Sequence, residues 1–249
     1  MPTFRIVAVL NLSVAHDASY RSTHHRGPSA ARHHADRRLT DIRTAPTSTF
    51  RGHLMTNTLD AAPETQISRL TVPEIDDLPD DLQRQIRSIE RQLGYIPNWV
   101  RAFALGGAHA ARFNEYILGL LDPNAGLLPY ADRELIATVS SAENGCSYCR
   151  LNHAVSLGDA LGDKKLGTRI AVDYREVREL TARQRTLADF AATLSVRPGE
   201  VSDDDLDALR DLGLDDAAIY EAIQVVAAFA AANRFSIALQ VRPDDQFFD

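Results

Sequence analysis

The only two cysteines of the chain, Cys146 and Cys149, lie three positions apart within sequence that repeats with a helical period. Apolar residues spaced three and four apart before the pair predict a helix over 129–143. The Asn-Gly dipeptide at 144–145 is typical of a turn, and a second helix is predicted over 146–160. A thioredoxin-like fold needs a strand before a CxxC motif, so this helical setting argues against that fold.

The rest of the folded sequence carries the same periodicity. Pro and Asp residues open several segments and Gly residues close them, as at helix ends. No segment alternates apolar and polar residues as a half-buried strand does, so we predict an all-α body. Together with the two helices around the cysteines, the predicted helices cover 80–93, 97–105, 108–121, 181–195, 202–212 and 215–241.

The first 54 residues differ from the rest in composition. They hold eight arginines, three aspartates and six of the eight histidines, and they sustain no helical or strand period. We interpret 1–54 as a disordered Arg- and His-rich extension and 55–249 as one helical domain. Met55 directly follows the extension, which suggests that the biological start lies there.

The overall charge of −7 is concentrated in the body, because the extension is basic. An acidic body argues against nucleic acid as the main partner, since phosphate binding needs a basic face. We found no apolar run of the roughly 18–20 residues that cross a bilayer. Two cysteines are too few for a secreted disulfide scaffold, and a close pair indicates redox or metal chemistry in a reducing compartment. We therefore expect a cytoplasmic protein.

The spacing of the motif favours thiol redox chemistry. Cys146 falls in the first turn of its helix, where the helix dipole favours a thiolate. His153 lies one turn beyond Cys149 on the same face and can accept a proton or stabilise the anion. Glu134, twelve positions before Cys146, could return a carboxylate from the preceding helix.

Two alternatives stay open at this point. A zinc site needs four ligands, and the pair with His153 supplies three. Two inert core cysteines are the simpler reading, although that reading explains neither their pairing nor the aligned histidine. A Glu134 next to Arg133 could equally be a solvated surface residue.

The sequence resembles a known family at these residues. The run at 132–137, followed by the CxxC motif and His153, resembles the AhpD-like alkylhydroperoxidases of the carboxymuconolactone decarboxylase superfamily, and most of all its peroxidase-related branch. Similar segments lie at 93–98, 180–185 and 230–235. The resemblance covers roughly residues 70–248.

The resemblance implies an all-helical fold and a homo-oligomer. It implies that Glu134 and His153 relay protons to Cys149, which attacks the peroxide, and that Cys146 resolves the sulfenic acid as a disulfide. The best-known members carry a His in the third motif position, where this chain has Tyr148.

We also infer an internal repeat. Glu221, Asn233 and Ser236, with Gln240 close behind, repeat the spacing of Glu134, Cys146, Cys149 and His153. Segment 215–241 is therefore predicted to be a degenerate copy of the motif hairpin, which would give the fold two related helical-hairpin halves.

The predicted function is a dithiol peroxidase that reduces alkyl hydroperoxides or hydrogen peroxide. It needs no haem, flavin or metal cofactor, and its catalytic residues are those of the resemblance. Its expected partners are an organic hydroperoxide and a thioredoxin-like or lipoyl-bearing dithiol protein, with no nucleic acid and no membrane. The alternative is a redox-sensing or interaction protein with the same disulfide and negligible turnover.

Overall fold

The structure, a computed structural model, describes residues 66–248, and all of its regular secondary structure is helical. The all-α prediction is confirmed for this range. The predicted disordered extension over 1–54 lies outside the described residues. The described residues form nine α-helices: α1 Asp80–Leu93, α2 Asn98–Phe103, α3 Gly107–Leu120, α4 Tyr130–Glu143, α5 Ser147–Leu161, α6 Lys164–Asp173, α7 Ala182–Val196, α8 Asp203–Asp211 and α9 Asp216–Leu239.

The ends of the helices follow local sequence signals. α1 runs over Asp80–Leu93 as predicted and stops at Gly94, whose φ of 83° suits a residue without a side chain. Thr181 and Ser202 cap α7 and α8 through reciprocal hydrogen bonds with the third residue of each helix. These caps fix where each helix begins.

The sequence analysis missed α6, which spans Lys164–Asp173. Its Gly167 lowers the intrinsic helix propensity and hid the periodicity. In the fold that glycine allows α5 and α6 to approach closely, since a Cβ there would lie 2.4 Å from the carbonyl oxygen of Ala154. Close packing therefore selects glycine at a helical position.

Helix α4 lies at the centre of the fold and packs on α5, α7 and α9. Every residue from Asp132 to Ser141 is buried, so α4 has no solvated face along that stretch. Leu135, Ile136 and Val139 join side chains of α7 and α9 in the main hydrophobic core. A separate apolar cluster of α1 and α2 includes Ile86, Ile89 and Val100.

Two buried charged side chains fix the loop before α4. Arg133 donates to the carbonyl oxygens of Leu120 at 2.7 Å and Asp122 at 2.8 Å. The carboxylate of Glu221 accepts the N–H groups of Leu127 and Leu128, both at 2.7 Å. Because these groups satisfy loop backbone that would otherwise be buried unpaired, they hold the start of α4 in place.

The predicted second hairpin over 215–241 is corrected to a single helix, α9. The reason lies in its sequence, because Asp216–Leu239 contains no glycine or proline and five alanines stand between positions 227 and 232. It has no counterpart of Gly145, the residue that turns the chain in the motif hairpin. α9 instead packs along α4, and Ser236 reaches the cysteine pair.

Within residues 66–248, α9 is also the one helix long and apolar enough to span a membrane by length and composition alone, with a mean hydropathy of 1.5. No such run was expected from the sequence. In the fold, 44% of this window is buried inside the molecule, and Ala222, Val225 and Phe229 belong to the main core. Packing against other helices accounts for its apolar character.

Candidate active site

The turn between α4 and α5 presents the first cysteine at a helix start. Gly145 adopts a φ of 72°, a left-handed conformation that turns the chain between the two helices. Cys146 is the N-cap of α5, and its Sγ accepts the backbone N–H of Cys149 at 3.4 Å. The sulfur of Cys146 therefore stands where the unpaired N–H groups of the helix favour an anion.

Both cysteines are reduced and buried, with exposed fractions of 1% for Cys146 and 6% for Cys149. They share an apolar cluster with Ala102 and Phe103 of α2. The Sγ of Cys149 lies 3.6 Å from the Oγ of Ser236 on α9, within hydrogen-bonding reach. The thiol pair is thus enclosed by α2, α5 and α9.

The two thiols differ in their tendency to ionise. The pKa of Cys146 is lowered from 9.0 to about 7, chiefly by a hydrogen bond from the Cys149 thiol, with help from the Cys149 N–H, Ser236 and the charge of His153, and against the effect of burial. The pKa of Cys149 is raised well above its ordinary value by its hydrogen bond to Cys146 and by burial. The reduced pair therefore favours the thiolate at Cys146, which is the helix cap, over the thiolate at Cys149.

The predicted carboxylate and imidazole meet. His153 Nδ1 lies 2.8 Å from Oε2 of Glu134, whose side chain is fully buried. His153 Nε2 lies 3.3 Å from the side-chain amide of Asn152. Since an amide nitrogen only donates, a neutral ring accepts at Nε2 and donates its Nδ1–H to Glu134. Phe229 packs edge-on against the imidazole, with ring centroids 4.5 Å apart.

Tyr130, one turn before Glu134, lies beside the carboxylate. Burial, followed by the charge and the hydrogen bond of Glu134, raises the pKa of the Tyr130 hydroxyl. The hydroxyl therefore stays protonated beside the carboxylate. The reading of Glu134 as a solvated surface residue is wrong, because it is 0% exposed.

Tyr148, in the third motif position, is engaged elsewhere. Its hydroxyl donates to Oδ2 of Asp244 at 2.5 Å. Oδ1 of Asp244 accepts the N–H of Asn98 at 2.8 Å, so this acid also caps the start of α2. Burial raises the pKa of Asp244, although its hydrogen bonds from Tyr148 and Asn98 oppose that rise. Tyr148 thus joins the CxxC motif to the C-terminal segment.

The structure brings the four predicted site residues together as two pairs, Cys146 with Cys149 and Glu134 with His153. In residues 66–248 no hydrogen bond joins the imidazole to either sulfur, and His153 acts on Cys146 through its charge. Over the same residues, no three His, Cys, Asp or Glu side chains form a group that could hold a metal ion.

Sequence reasoning missed the roles of three neighbours of these pairs. Asn152 is adjacent to His153, and its helical register with Cys149 could have marked it. Ser236 was noticed only for its spacing in α9. No local signal pointed to Asp244, which meets Tyr148 across 96 positions of sequence.

No protein-family model and no curated protein matches this chain. Solved structures do. The crystal structure of an alkylhydroperoxidase AhpD core, an uncharacterized peroxidase-related protein from Ralstonia eutropha JMP134, matches with a TM-score of 0.69 and 31% identity, covering 74% of this chain and 95% of that one. An uncharacterized peroxidase-related protein from Silicibacter sp. TM1040 matches with a TM-score of 0.69 and 29% identity, over 75% and 97% of the two chains.

A third match shows the shared fold alone. It is a debrominase, with a TM-score of 0.60, 19% identity and coverage of 75% of this chain and 96% of that one. The identity and coverage of the Ralstonia protein carry the family assignment, and the helical fold around the thiol pair agrees with it. The chain belongs to the AhpD-like superfamily, among its peroxidase-related proteins.

Proposed function

We propose that this protein is a dithiol peroxidase that reduces hydroperoxides through Cys146 and Cys149. The observation that carries the proposal is the reduced pair at the start of α5, where the pKa of Cys146 is lowered to about 7. A thiolate is the nucleophilic form of cysteine. Membership of a superfamily that contains peroxidase-related proteins adds support.

The reaction balances without a bound cofactor. The thiolate attacks the terminal oxygen of the hydroperoxide, an S–O bond forms as the O–O bond breaks, and the leaving alkoxide takes a proton to become an alcohol. The second cysteine then attacks the sulfenic sulfur, which forms the disulfide and releases water. An external dithiol returns two electrons by thiol–disulfide exchange and is itself oxidised to a disulfide.

The order of the two sulfurs follows their charge. The resemblance assigned the first attack to Cys149 and resolution to Cys146. The hydrogen bonds of the reduced pair favour the opposite resting state, with the thiolate at Cys146 and the proton at Cys149. We therefore propose that Cys146 attacks first and that Cys149 resolves.

His153 serves this step as a proton-transfer group, and Glu134 positions the His153 ring. The 2.8 Å contact of the carboxylate with Nδ1 fixes the orientation and tautomer of the imidazole. The oriented imidazole can relay the proton that the leaving alkoxide takes up. General acid–base groups of this kind contribute about 10²–10⁴ to rate.

The decisive experiment measures hydroperoxide consumption with a dithiol reductant. We expect wild-type protein to turn over, and Cys146→Ser and Cys149→Ser to lose turnover, because each lacks one half of the disulfide. Ser147→Ala, an exposed change between the cysteines, serves as the matched control and should keep wild-type rates. Undiminished turnover by either cysteine variant would rule out the two-thiol mechanism.

The order is tested by trapping the sulfenic acid with dimedone. Cys149→Ser exposed to one equivalent of hydroperoxide should be labelled at Cys146, and mass spectrometry locates the label. Cys146→Ser should label far more slowly at neutral pH. The reverse pattern would restore Cys149 as the attacking sulfur.

A second function, redox sensing, has one observation in its favour. Tyr148 ties the motif to Asp244 and through it to α2, so disulfide formation can be transmitted to the surface. This function predicts slow reaction with peroxide and a change of assembly on oxidation. Size-exclusion chromatography of reduced and oxidised protein, run beside the turnover assay, separates the two.

We further propose a homo-oligomer that works in the cytoplasm with a thioredoxin-like or lipoyl-bearing reductant. A reducing compartment keeps the thiols of Cys146 and Cys149 available. Analytical ultracentrifugation tests the assembly, and comparison of thioredoxin with dihydrolipoamide as electron donor tests the reductant class.

A further inference from the structure

An apolar pocket lies beside the thiol site. It has a volume of about 380 Å³ and opens between α3 and the end of α9. Phe103, Phe113, Phe235 and Leu239 form its walls, and His109 is the one side chain in its lining that carries a polar group. Pockets of about 300–1,000 Å³ with such linings are typical small-molecule sites.

The aromatic wall of the pocket is ordered by its own packing. Phe235 contacts Phe103 and Phe113 edge to face, with ring centroids 5.8 Å and 5.3 Å apart. Trp99 continues the series, with its ring centroid 5.8 Å from that of Phe103. Rings held at right angles offer both faces and edges, which suits the quadrupole of a further aromatic ring.

The pocket shares lining residues with the apolar cluster that contains the two cysteines. Ala102 and Phe103 line the pocket and belong to the same apolar cluster as Cys146 and Cys149. On α9, Phe235 lines the pocket while its neighbour Ser236 approaches the Cys149 sulfur at 3.6 Å. A molecule in the pocket is therefore next to the wall that encloses the thiol pair.

We propose that this pocket binds the organic group of an aromatic hydroperoxide and directs its O–O bond toward the cysteines. The proposal rests on the peroxidase function above and adds its substrate class. A cavity of about 150 Å³ is enough for benzene, so the pocket has room for a substituted ring. The lining contains no Asp, Glu, Lys or Arg side chain. A neutral occupant is therefore favoured over a charged one.

The first test measures binding apart from turnover. Cumyl alcohol, the product of cumene hydroperoxide reduction, is titrated into the reduced protein while the fluorescence of Trp99, the single tryptophan, is followed. We compare Ala238→Phe, which fills the pocket from its exposed rim, with Ala227→Phe, an exposed change three turns earlier in α9. We expect saturable binding that weakens about tenfold in Ala238→Phe and stays within about twofold in Ala227→Phe.

The second test measures kcat/KM with two peroxides. Ala238→Phe should lose about tenfold with cumene hydroperoxide and stay within about twofold with hydrogen peroxide, because only the first needs the pocket. Equal losses with both peroxides, or none with either, overturn the proposed selectivity.

The outcomes separate this inference from the proposed function. Saturable binding of cumyl alcohol without turnover of either peroxide overturns the peroxidase function and leaves an aromatic-binding pocket. Turnover without saturable binding of cumyl alcohol, or equal binding by Ala238→Phe and Ala227→Phe, overturns the proposal that the pocket binds the substrate. If Ala238→Phe changes the elution volume of the protein and cumyl alcohol fails to bind, a second copy of the chain covers this surface and the inference is wrong.

Discussion

At the scale of single residues, the chemistry of this site depends on where one proton resides. The backbone N–H of Cys149, at the start of α5, donates to the Sγ of Cys146, and the neighbouring Cys149 thiol lowers the pKa of that sulfur. The helix start and the charge of His153 act on the same sulfur. The side chain and the backbone N–H of Cys149, together with His153, thus favour ionisation of Cys146.

The first prediction concerns the thiolate titration. In reduced wild-type protein, ultraviolet absorbance of thiolate should rise with a midpoint near pH 7, the lowered pKa of Cys146. Cys149→Ala removes the thiol that donates to Cys146, so the midpoint should move to higher pH. In Cys146→Ser, the pKa of the remaining thiol should fall because its hydrogen bond to Cys146 is lost, while burial still keeps its midpoint above that of Cys146 in the wild-type protein.

The same lowered pKa links stability to pH. Because Cys146 has a folded pKa below the ordinary 9.0, its ionisation stabilises the reduced fold above that ordinary value. This contribution is lost as pH falls through about 7. Reduced Cys146→Ser should lack that dependence in denaturant unfolding, and an unchanged pH profile would contradict the assignment.

The second prediction tests Glu134 as a positioning residue. Glu134→Gln keeps the shape of the side chain and removes the carboxylate that accepts from Nδ1 of His153. We expect kcat/KM to fall about 10²-fold and the thiolate midpoint to move to higher pH. A merely structural role would leave that midpoint in place.

Glu143→Gln is the matched control for Glu134→Gln. It lies on the same helix, and its carboxylate pairs with the half-exposed Arg175 at 2.6 Å. Exposed pairs of this kind contribute about 0–1 kcal/mol, so the rate and the thiolate titration should both stay close to wild type.

At the scale of helices, the close approach of neighbouring helices and the hydrogen bonds between distant segments restrict which residues are tolerated at particular positions. Gly167 allows α6 to lie against α5, and Asp244 joins the C-terminal segment to both α2 and α5. Both features act between elements far from the reacting sulfurs.

The third prediction concerns the α5–α6 contact. Gly167→Ala would place a Cβ 2.4 Å from the Ala154 carbonyl oxygen and 2.7 Å from the Gly158 nitrogen, both backbone atoms. The helices must separate, which should cost about 1–3 kcal/mol in the free energy of unfolding. Gly199→Ala, where nothing lies within 4 Å of the new Cβ, should change stability far less. Equal effects would contradict the close-packing explanation.

The fourth prediction concerns the Tyr148–Asp244 tether. Tyr148→Phe leaves a buried acid without its 2.5 Å donor, and this should cost about 1–3 kcal/mol at neutral pH. Burial already raises the pKa of Asp244, so the stability linked to its protonated form is present below 3.8 and is lost as pH rises through the raised pKa.

Loss of the Tyr148 donor raises that pKa further. The destabilisation by Tyr148→Phe should therefore be larger at neutral pH than in acid, as measured by denaturant unfolding at both pH values. Tyr220→Phe, at a side chain that is 61% exposed, is the control and should have little effect at either pH.

At the scale of the whole molecule, local signals were enough for most of the helices. Asp80–Leu93 was predictable because Pro, Asp and Gly mark its ends. α6 was not predictable, because Gly167 is required by the close contact with α5, which the local sequence does not show. The meeting of Glu134 with His153 was expected from a motif, while the contacts of Asp244 and Ser236 depend on chain segments that no local pattern relates.

The fifth prediction concerns the extension over 1–54, whose disorder stays a prediction. The hydrophobic clusters of the described residues are built from Leu78 onward or, for partly buried members, from Val72. A chain that starts at Met55 should therefore unfold within about 2 °C of the full chain, since about 1 kcal/mol shifts Tm by only about 2–4 °C in a chain of this size. A larger drop in Tm, or loss of turnover, would contradict the interpretation.

The cap formed by Cys146 has a further consequence. Its sulfur accepts a hydrogen bond from the backbone N–H of Cys149. A thiolate sulfur is a much stronger acceptor than the neutral sulfur of a disulfide. Each oxidation therefore weakens the first turn of α5 and each reduction restores it. The hydrogen-exchange rate of the Cys149 amide should therefore be higher in the disulfide form than in the reduced form, and it reports the redox state of the pair.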